Sequence, residues 1–496
     1  MQKYKHLFDT THLQSDLKKK SLRSGAVTLG SQGLQFVIQL GSTMILARIL
    51  TPADYGINGM AVAITGFANV FSNLGLSTAT VQRAEINHEQ VSTLFWINAC
   101  MGLVLTLLVA ACSPLIAWFY KQPEMFSVML ALSSMFILNG LAVQHSALLT
   151  RQMRFLELAI INVSALFGGI MVAIVAAKNG FGYWSLIFNS LAYVTMNSLG
   201  LWLVCRWIPG LPRRDVGVKS MVKFGSDLMA FDIVNYFARN LDNILIGRYW
   251  GAGQLGLYSK AYQLLMMPIT NLRNPITNVA MPSLSRLQHE PEQYRDYYLK
   301  LVSLLAFVSM PMVAFMFVAS DQLILLFLGD QWTEVSVIFQ VLAVAAFFQP
   351  VGSTTGLVLI TTGRSRKYLV IGCLAGLVNC LSFIIGLKWG AIGVATAYTV
   401  GGYLFMIPFM MSVYKDTLIS VKSFFKCVSR PLFSSVLSSI VTHFFIQNFD
   451  FENMFLTILL SFIVYAILFV IFFVMLRGYS DLKNYNDYIR IILDNK

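Results

Sequence analysis

Apolar runs of about 20 residues, the length at which a helix crosses the hydrocarbon of a bilayer, recur from one end of this sequence to the other. Between them no stretch is long enough for a sizeable soluble core. Charged residues are 12% of the 496, against roughly a quarter in soluble domains, so most of the chain is not built to face water. Hydrocarbon leaves backbone polar groups no water to bond, which makes helices the natural form for such runs. The expected fold class is all-α integral membrane, with about fourteen transmembrane helices. Spans are expected near 26–47, 56–78, 93–117, 127–149, 156–177, 183–205, 224–248 and 256–282. Six more follow near 301–327, 336–360, 368–387, 391–413, 430–447 and 454–476. Residues 1–20 are polar, and the first apolar run is too long for a signal peptide and has no small-residue cleavage site.

Charge orients the spans. The formal net charge is +13, but the basic residues sit in short loops, which favours a membrane reading over a nucleic-acid one. One set of loops holds Lys18, Lys19, Lys20, Arg23, Arg83, Arg151, Arg154, Arg206, Arg213, Arg214, Arg286 and Arg295. It continues with Arg364, Arg366, Lys367, Lys415, Lys422, Lys426 and Arg477. With the tails and span edges included, this set carries 28 of the 36 Lys and Arg. The opposite loops hold little beyond Arg48, Lys121, Lys178, Arg248 and Lys388. A fourteen-span arrangement with both termini cytoplasmic sorts the charges this way.

The chain also repeats itself at an offset of 200 residues. Gly25 falls on Gly225, Arg48 on Arg248, Gly56 on Gly256 and Ala61 on Ala261, while Ile45-Leu46-Ala47-Arg48 falls on Leu245-Ile246-Gly247-Arg248. The match pairs the first span with the seventh and predicts two parallel-related six-helix lobes, with an axis along the membrane normal. The expected organisation is a cytoplasmic tail at 1–25, an N-lobe at 26–206, a linker at 207–223 and a C-lobe at 224–414. A two-helix appendage at 415–477 and a second cytoplasmic tail at 478–496 complete it.

Polar residues recur on particular span faces. Asp232, Asn235, Arg239 and Asp242 follow at i, i+3, i+7 and i+10, and their repeat partners are Gln32, Gln35, Gln39 and Ser42. The eighth span adds Lys260, Gln263, Asn271, Asn274 and Asn278, with Arg273 beside them; the second adds Asn58, Thr65, Asn69 and Asn73. A lone Asn or Gln in a span usually joins helices by hydrogen bonds. A charge at mid-depth costs a few kcal/mol or more in hydrocarbon, so it faces water or a partner. Asp232, Arg239 and Asp242 could neutralise one another, whereas Lys260 and Arg273 have no acid on their own helix. Spans one, two, seven and eight are expected to line a hydrated, net-basic cleft. Pro268, Pro275 and Pro282, seven apart, predict a kinked eighth span, by packing or as a hinge.

The segment Leu46-Ala47-Arg48-Ile49-Leu50-Thr51-Pro52-Ala53-Asp54-Tyr55-Gly56 resembles the first-hairpin signature of bacterial polysaccharide flippases. These belong to the multidrug/oligosaccharidyl-lipid/polysaccharide exporter superfamily. Val81-Gln82-Arg83 through Thr93-Leu94-Phe95-Trp96, and Arg273-Asn274-Pro275-Ile276 through Met281-Pro282, are similar to the colanic-acid-exporter branch. The resemblance implies flipping of undecaprenyl-diphosphate-linked sugar repeat units from the cytoplasmic to the periplasmic leaflet of the inner membrane. Two rocking six-helix lobes and a cationic cavity would do this. Arg239, Lys260 and Arg273 are then the expected diphosphate contacts, since Arg and Lys pair with phosphate oxygens. Asn235, Gln263, Asn271, Asn274, Gln32, Gln35 and Gln39 would add polar contacts, with Arg48 and Arg248 as interfacial helix ends. Relatives with two extra helices imply a groove for the polyprenyl tail, which maps onto Pro431 to Arg477 by position alone. The first lobe lacks the acidic cluster of ion-coupled members, which leaves proton or sodium coupling open, with Asp232 and Asp242 as the candidate residues. Membrane lipids, and the polymerase and chain-length proteins of polysaccharide assembly, are the further candidate partners.

Other functions fit less well. A membrane enzyme of polysaccharide assembly would need a catalytic loop, but the outward loops are short and His6, His12, His88, His145, His289 and His443 are scattered. A multidrug cation exporter of the same fold would want an acidic cleft. Cys100, Cys112, Cys205, Cys373, Cys380 and Cys427 form no Cys-x-x-Cys pair, so neither a metal site, a cofactor nor a disulfide framework is expected.

Overall fold

The computed structural model describes residues 5–8, 17–72, 76–83, 85–213, 219–415, 417–448, 453–476 and 478, with side chains excepted at 5–6, 17–23, 72, 219–232 and 234. The side chain of Asp232, Arg214, Arg477 and the tail after 478 lie outside the described residues, as do the side chains of Lys18, Lys19, Lys20 and Arg23.

The described elements are helices, and no strand occurs among them. They are α1 (Lys5–Phe8), α2 (Leu17–Ala47), α3 (Pro52–Ser72), α4 (Leu76–Gln82), α5 (His88–Tyr120), α6 (Glu124–Arg151), α7 (Phe155–Lys178) and α8 (Trp184–Cys205). After these come α9 (Lys219–Arg286), α10 (Pro291–Val318), α11 (Ser320–Phe327), α12 (Val335–Gly352) and α13 (Thr355–Thr361). The series ends with α14 (Ser365–Gly386), α15 (Gly390–Tyr414), α16 (Val421–Asn448) and α17 (Met454–Met475). Each expected span falls on one of these helices or on two consecutive ones, and spans seven and eight lie on the two arms of α9. Among the described residues nine helical segments, one of them holding both α14 and α15, are long and apolar enough to cross a membrane. They become ten if α3 and α4, bent by 49°, form one broken span.

The backbone of α9 leaves helical geometry at Gly251 (φ 78, ψ −175), a region open essentially to glycine alone. The helix runs unbroken over Pro268, Pro275 and Pro282, so the break in α9 lies at the joint between its two expected spans, not at its prolines. The start of α3 is fixed differently. The Thr51 amide and hydroxyl both donate to Asp54 Oδ2 at 2.8 Å, and the Asp54 amide donates to Thr51 Oγ1 at 3.3 Å. With Pro52 at the first helical position, Thr51-Pro52-Ala53-Asp54 is a capping box in which the fixed φ of proline suits the helix start.

The chain divides into two compact units, 1–256 and 257–496. In the first, α5 lies close on α6, with Gly102 facing the Phe136 carbonyl and Gly140 the Asn98 carbonyl. Arg151, read from the sequence as a loop cation, is 6% exposed and turned inward. Its guanidinium donates to the carbonyls of Phe8, Thr80, Val81 and Arg83, tying α1 and the end of α4 to α6. Gln152 Nε2 adds a bond to the Leu7 carbonyl at 2.9 Å. The first arm of α9 also belongs to this unit and meets α3, where the Tyr236 hydroxyl donates to the Ala63 carbonyl beside Gly66. In the second unit the buried Tyr298 hydroxyl joins Thr354 at 2.9 Å and Tyr414 at 2.8 Å, inside a core of α10, α13, α15 and α16 side chains.

Candidate functional site

Spans one, seven and eight are missing from the nine or ten bilayer-competent helices, because too many of their residues are polar. They lie on α2 and the two arms of α9, which carry the predicted site residues. Lipid alone is a poor environment for such helices.

In the first unit α2 packs along α7, and none of its side chains from Ser24 to Ser42 is buried. Gln32 and Gln39 are exposed and Gln35 is half-buried. On the first arm of α9, Asn235 is half-buried, and Arg239 is exposed and forms no ion pair among the described residues. Asp242 is buried, with Oδ1 accepting from the Asn243 amide at 2.8 Å. Arg248, at the end of that arm, stacks over the rings of Phe119 and Tyr249, each 5.6 Å from the guanidinium carbon. Such a site is half apolar and half wet, as a membrane interface is.

In the second unit the second arm of α9 is amphipathic. Ala261, Leu264, Leu265, Ile269, Ala280 and Leu284 are buried on one side, while Gln263, Asn271, Asn274 and Asn278 are exposed on the other. Lys260 sits between these faces at 5% exposure, and its Nζ donates to Gln263 Oε1 at 2.9 Å. Arg273 is half-buried and its Nη2 donates to Asn274 Oδ1 at 3.2 Å. Two predicted pairs, Lys260 with Gln263 and Arg273 with Asn274, are thus in contact. In each the amide oxygen takes one of the several donors that the cation carries. Asn271 instead donates to the Met267 carbonyl at 2.8 Å.

The second arm of α9 thus presents a polar strip of amides and cations, while in the first unit the amides of α2 and the cation Arg239 stand on two different helices. Cations and amides of this kind have the chemistry to pair with anionic, hydroxylated groups rather than with hydrophobic cations. No group of three or more His, Cys, Asp and Glu side chains that could hold a metal occurs among the described residues. Sequence reasoning missed Tyr236, whose hydroxyl bonds α3. The Gly66 beside it shows no periodic signal that would have flagged the contact.

Residues 45–337 match the family described as polysaccharide biosynthesis protein. The chain belongs to that family. This member is 27% identical over 392 residues to the lipopolysaccharide biosynthesis protein WzxC of Escherichia coli K12, covering 76% of this chain and 79% of that one. It is 26% identical to the teichuronic acid biosynthesis protein TuaB of Bacillus subtilis, covering 87% and 88%. Its fold matches the lipid II flippase MurJ in an inward closed conformation, with a TM-score of 0.72 at 17% identity over 93% of this chain and 99% of MurJ. It also matches an inward-facing multidrug resistance MATE family transporter of the MOP superfamily, with a TM-score of 0.59 at 14% identity over 77% and 95%. This family member is a multi-pass protein of the bacterial inner membrane.

Proposed function

We propose that this protein carries polyprenyl-diphosphate-linked oligosaccharide repeat units from the cytoplasmic to the periplasmic leaflet, by alternating access of two six-span lobes, for export of a cell-surface polysaccharide. The observation that carries this reading is a polar face in each unit, with Arg239 and Asn235 in the first and Lys260 and Arg273 with Gln and Asn neighbours in the second, in a member of the polysaccharide biosynthesis family. Cations suit the diphosphate, and amides suit the sugar hydroxyls. Names and folds of the relatives support a flippase: WzxC serves lipopolysaccharide biosynthesis and MurJ flips lipid II. A multidrug exporter shares the fold, but among the described residues the solvent-accessible charges on these faces, Arg239 and Arg273, are basic. We read the protein as a transporter rather than an enzyme, and Asp232 and Asp242 as the groups through which a proton or sodium ion would couple. Cells lacking the protein should accumulate lipid-linked repeat units on the inner leaflet and lose surface polymer. Unchanged polymer, in a strain with no sibling transporter, would sink the proposal.

A further inference from the structure

At the start of α3, a side-chain carbon on Gly56 would lie 1.7 Å from the Ala252 carbonyl oxygen, and one on Gly256 would lie 1.8 Å from the Pro52 carbonyl oxygen. These are the tightest glycine approaches among the described residues; the next, among them Gly386 and Gly393 where α14 crosses α15, stand at 2.3 Å. Residues 52 and 252, and 56 and 256, are also repeat partners at the offset of 200. Each helix start thus offers its carbonyl to the glycine of the other, which is the reciprocal pattern of a two-fold contact.

The two starts reach this geometry by different chemistry. Thr51 and Asp54 cap the first, and Gly251 turns the second in a backbone region open to glycine. The atoms nearest each glycine across the crossing are backbone. A carbonyl oxygen resting against a glycine methylene is attracted only weakly, so such a contact excludes solute by close approach while adding little that would hold the two helix starts together. Charge places it at the outer end of the molecule, beside Arg48 and Arg248.

We propose that the Gly56–Ala252 and Gly256–Pro52 contact is a reversible outer seal, which must part for the head group to leave toward the outside. This rests on the proposed flippase reading. The seal should tolerate no side chain at either glycine, because real carbons do not approach to less than 3.0 Å.

The test uses the full chain with its six cysteines replaced, after export by that background is confirmed, and with Gln39→Cys as reporter. Gln39 lies eight residues inside the end of α2, about 12 Å deeper at 1.5 Å per residue. Gly56→Ala and Gly256→Ala should each raise labelling by an impermeant thiol reagent from outside roughly tenfold or more, since the clash falls on the closed state alone. Gly253→Ala, at a neighbouring glycine with nothing within 4 Å, should not. Unchanged labelling in the first two variants at normal protein level, or an equal rise with Gly253→Ala, overturns the proposal. Should the glycine variants fail to accumulate, cysteines at the exposed Ala53 and Gly253 are joined by a cleavable bifunctional reagent. Export that stops on linking and resumes on cleavage supports the seal; failure to link, or export with the pair fully linked, overturns it. Labelling needs no substrate, so a strain that keeps its polymer without this protein refutes the flippase reading and leaves the seal result standing.

Discussion

Arg239 and Lys260 meet the same problem, a cation within an apolar stretch, in opposite ways. Lys260 is buried and donates a hydrogen bond to the Gln263 amide oxygen, while Arg239 stands exposed with no ion pair among the described residues. An exposed arginine at mid-depth is tolerable only where water or a polar ligand reaches it. On the proposed flippase reading, Arg239 and Arg273 are the side chains on which diphosphate binding would depend most. Arg239→Ala or Arg273→Ala should cut surface polymer by roughly 10- to 100-fold at normal protein level, the scale of a charge-assisted hydrogen bond of about 1.5–3 kcal/mol. Lysine at either position should retain part of the export, because a point charge attracts phosphate but loses the two-pronged geometry. Asp242 supplies the control. If Asp242→Ala stops export and adding Arg239→Ala restores it, Arg239 is only a partner of the acid, and substrate contact passes to Arg273 and Lys260.

The helix starts show why some elements were legible and others were not. Long apolar runs announce the helices, because hydrocarbon permits little else, and the expected spans fall on helices throughout. The repeat was legible for the same reason: Gly56 and Gly256 stand in register because two backbones meet there. Arg151 was misread because sequence gives its place at a helix end but not its direction. Four backbone carbonyls left over at α1, α4 and their flanks draw it inward. The polar faces were visible as periodicity, yet which residues pair across them depends on rotamers that periodicity does not report. The Thr51–Asp54 box gives this scale its own test. Asp54→Ala removes the acceptor of two bonds and should cost about 1 kcal/mol. That should appear as a fall of about 1–2 °C in the melting temperature of purified protein. Asp54→Asn, which keeps one oxygen, should lose less. Equal losses would show that the carboxylate charge matters more than the cap.

At the scale of the whole molecule, orientation rests on charge, and the structure says which charges can report it. The outer set includes Lys121, Lys178 and Lys388, all of them exposed. On the inner side Arg151 would be a poor reporter, since its side chain is buried and a cysteine there would escape labelling on either face. Arg366 and Lys422 are exposed and belong to the inner set, so a failure to label them from outside carries information. Cysteine at Lys121, Lys178 or Lys388 should react with an impermeant thiol reagent in intact cells. Cysteine at Arg366 or Lys422 should react only after the membrane is opened. Those five positions fall in the fourth, sixth, twelfth, eleventh and thirteenth expected spans or the loops beside them, so they test both units. An even number of spans separates like sides, and adding or losing one span between residues 121 and 422 would reverse every reporter beyond the error. Lys388 reacting like Arg366 would place that error at α14, which is nearly the whole of the chain between the two reporters. A shared response of Lys121 and Lys422 would break the arrangement as a whole, and with it the outward placement of Gly56 and Gly256.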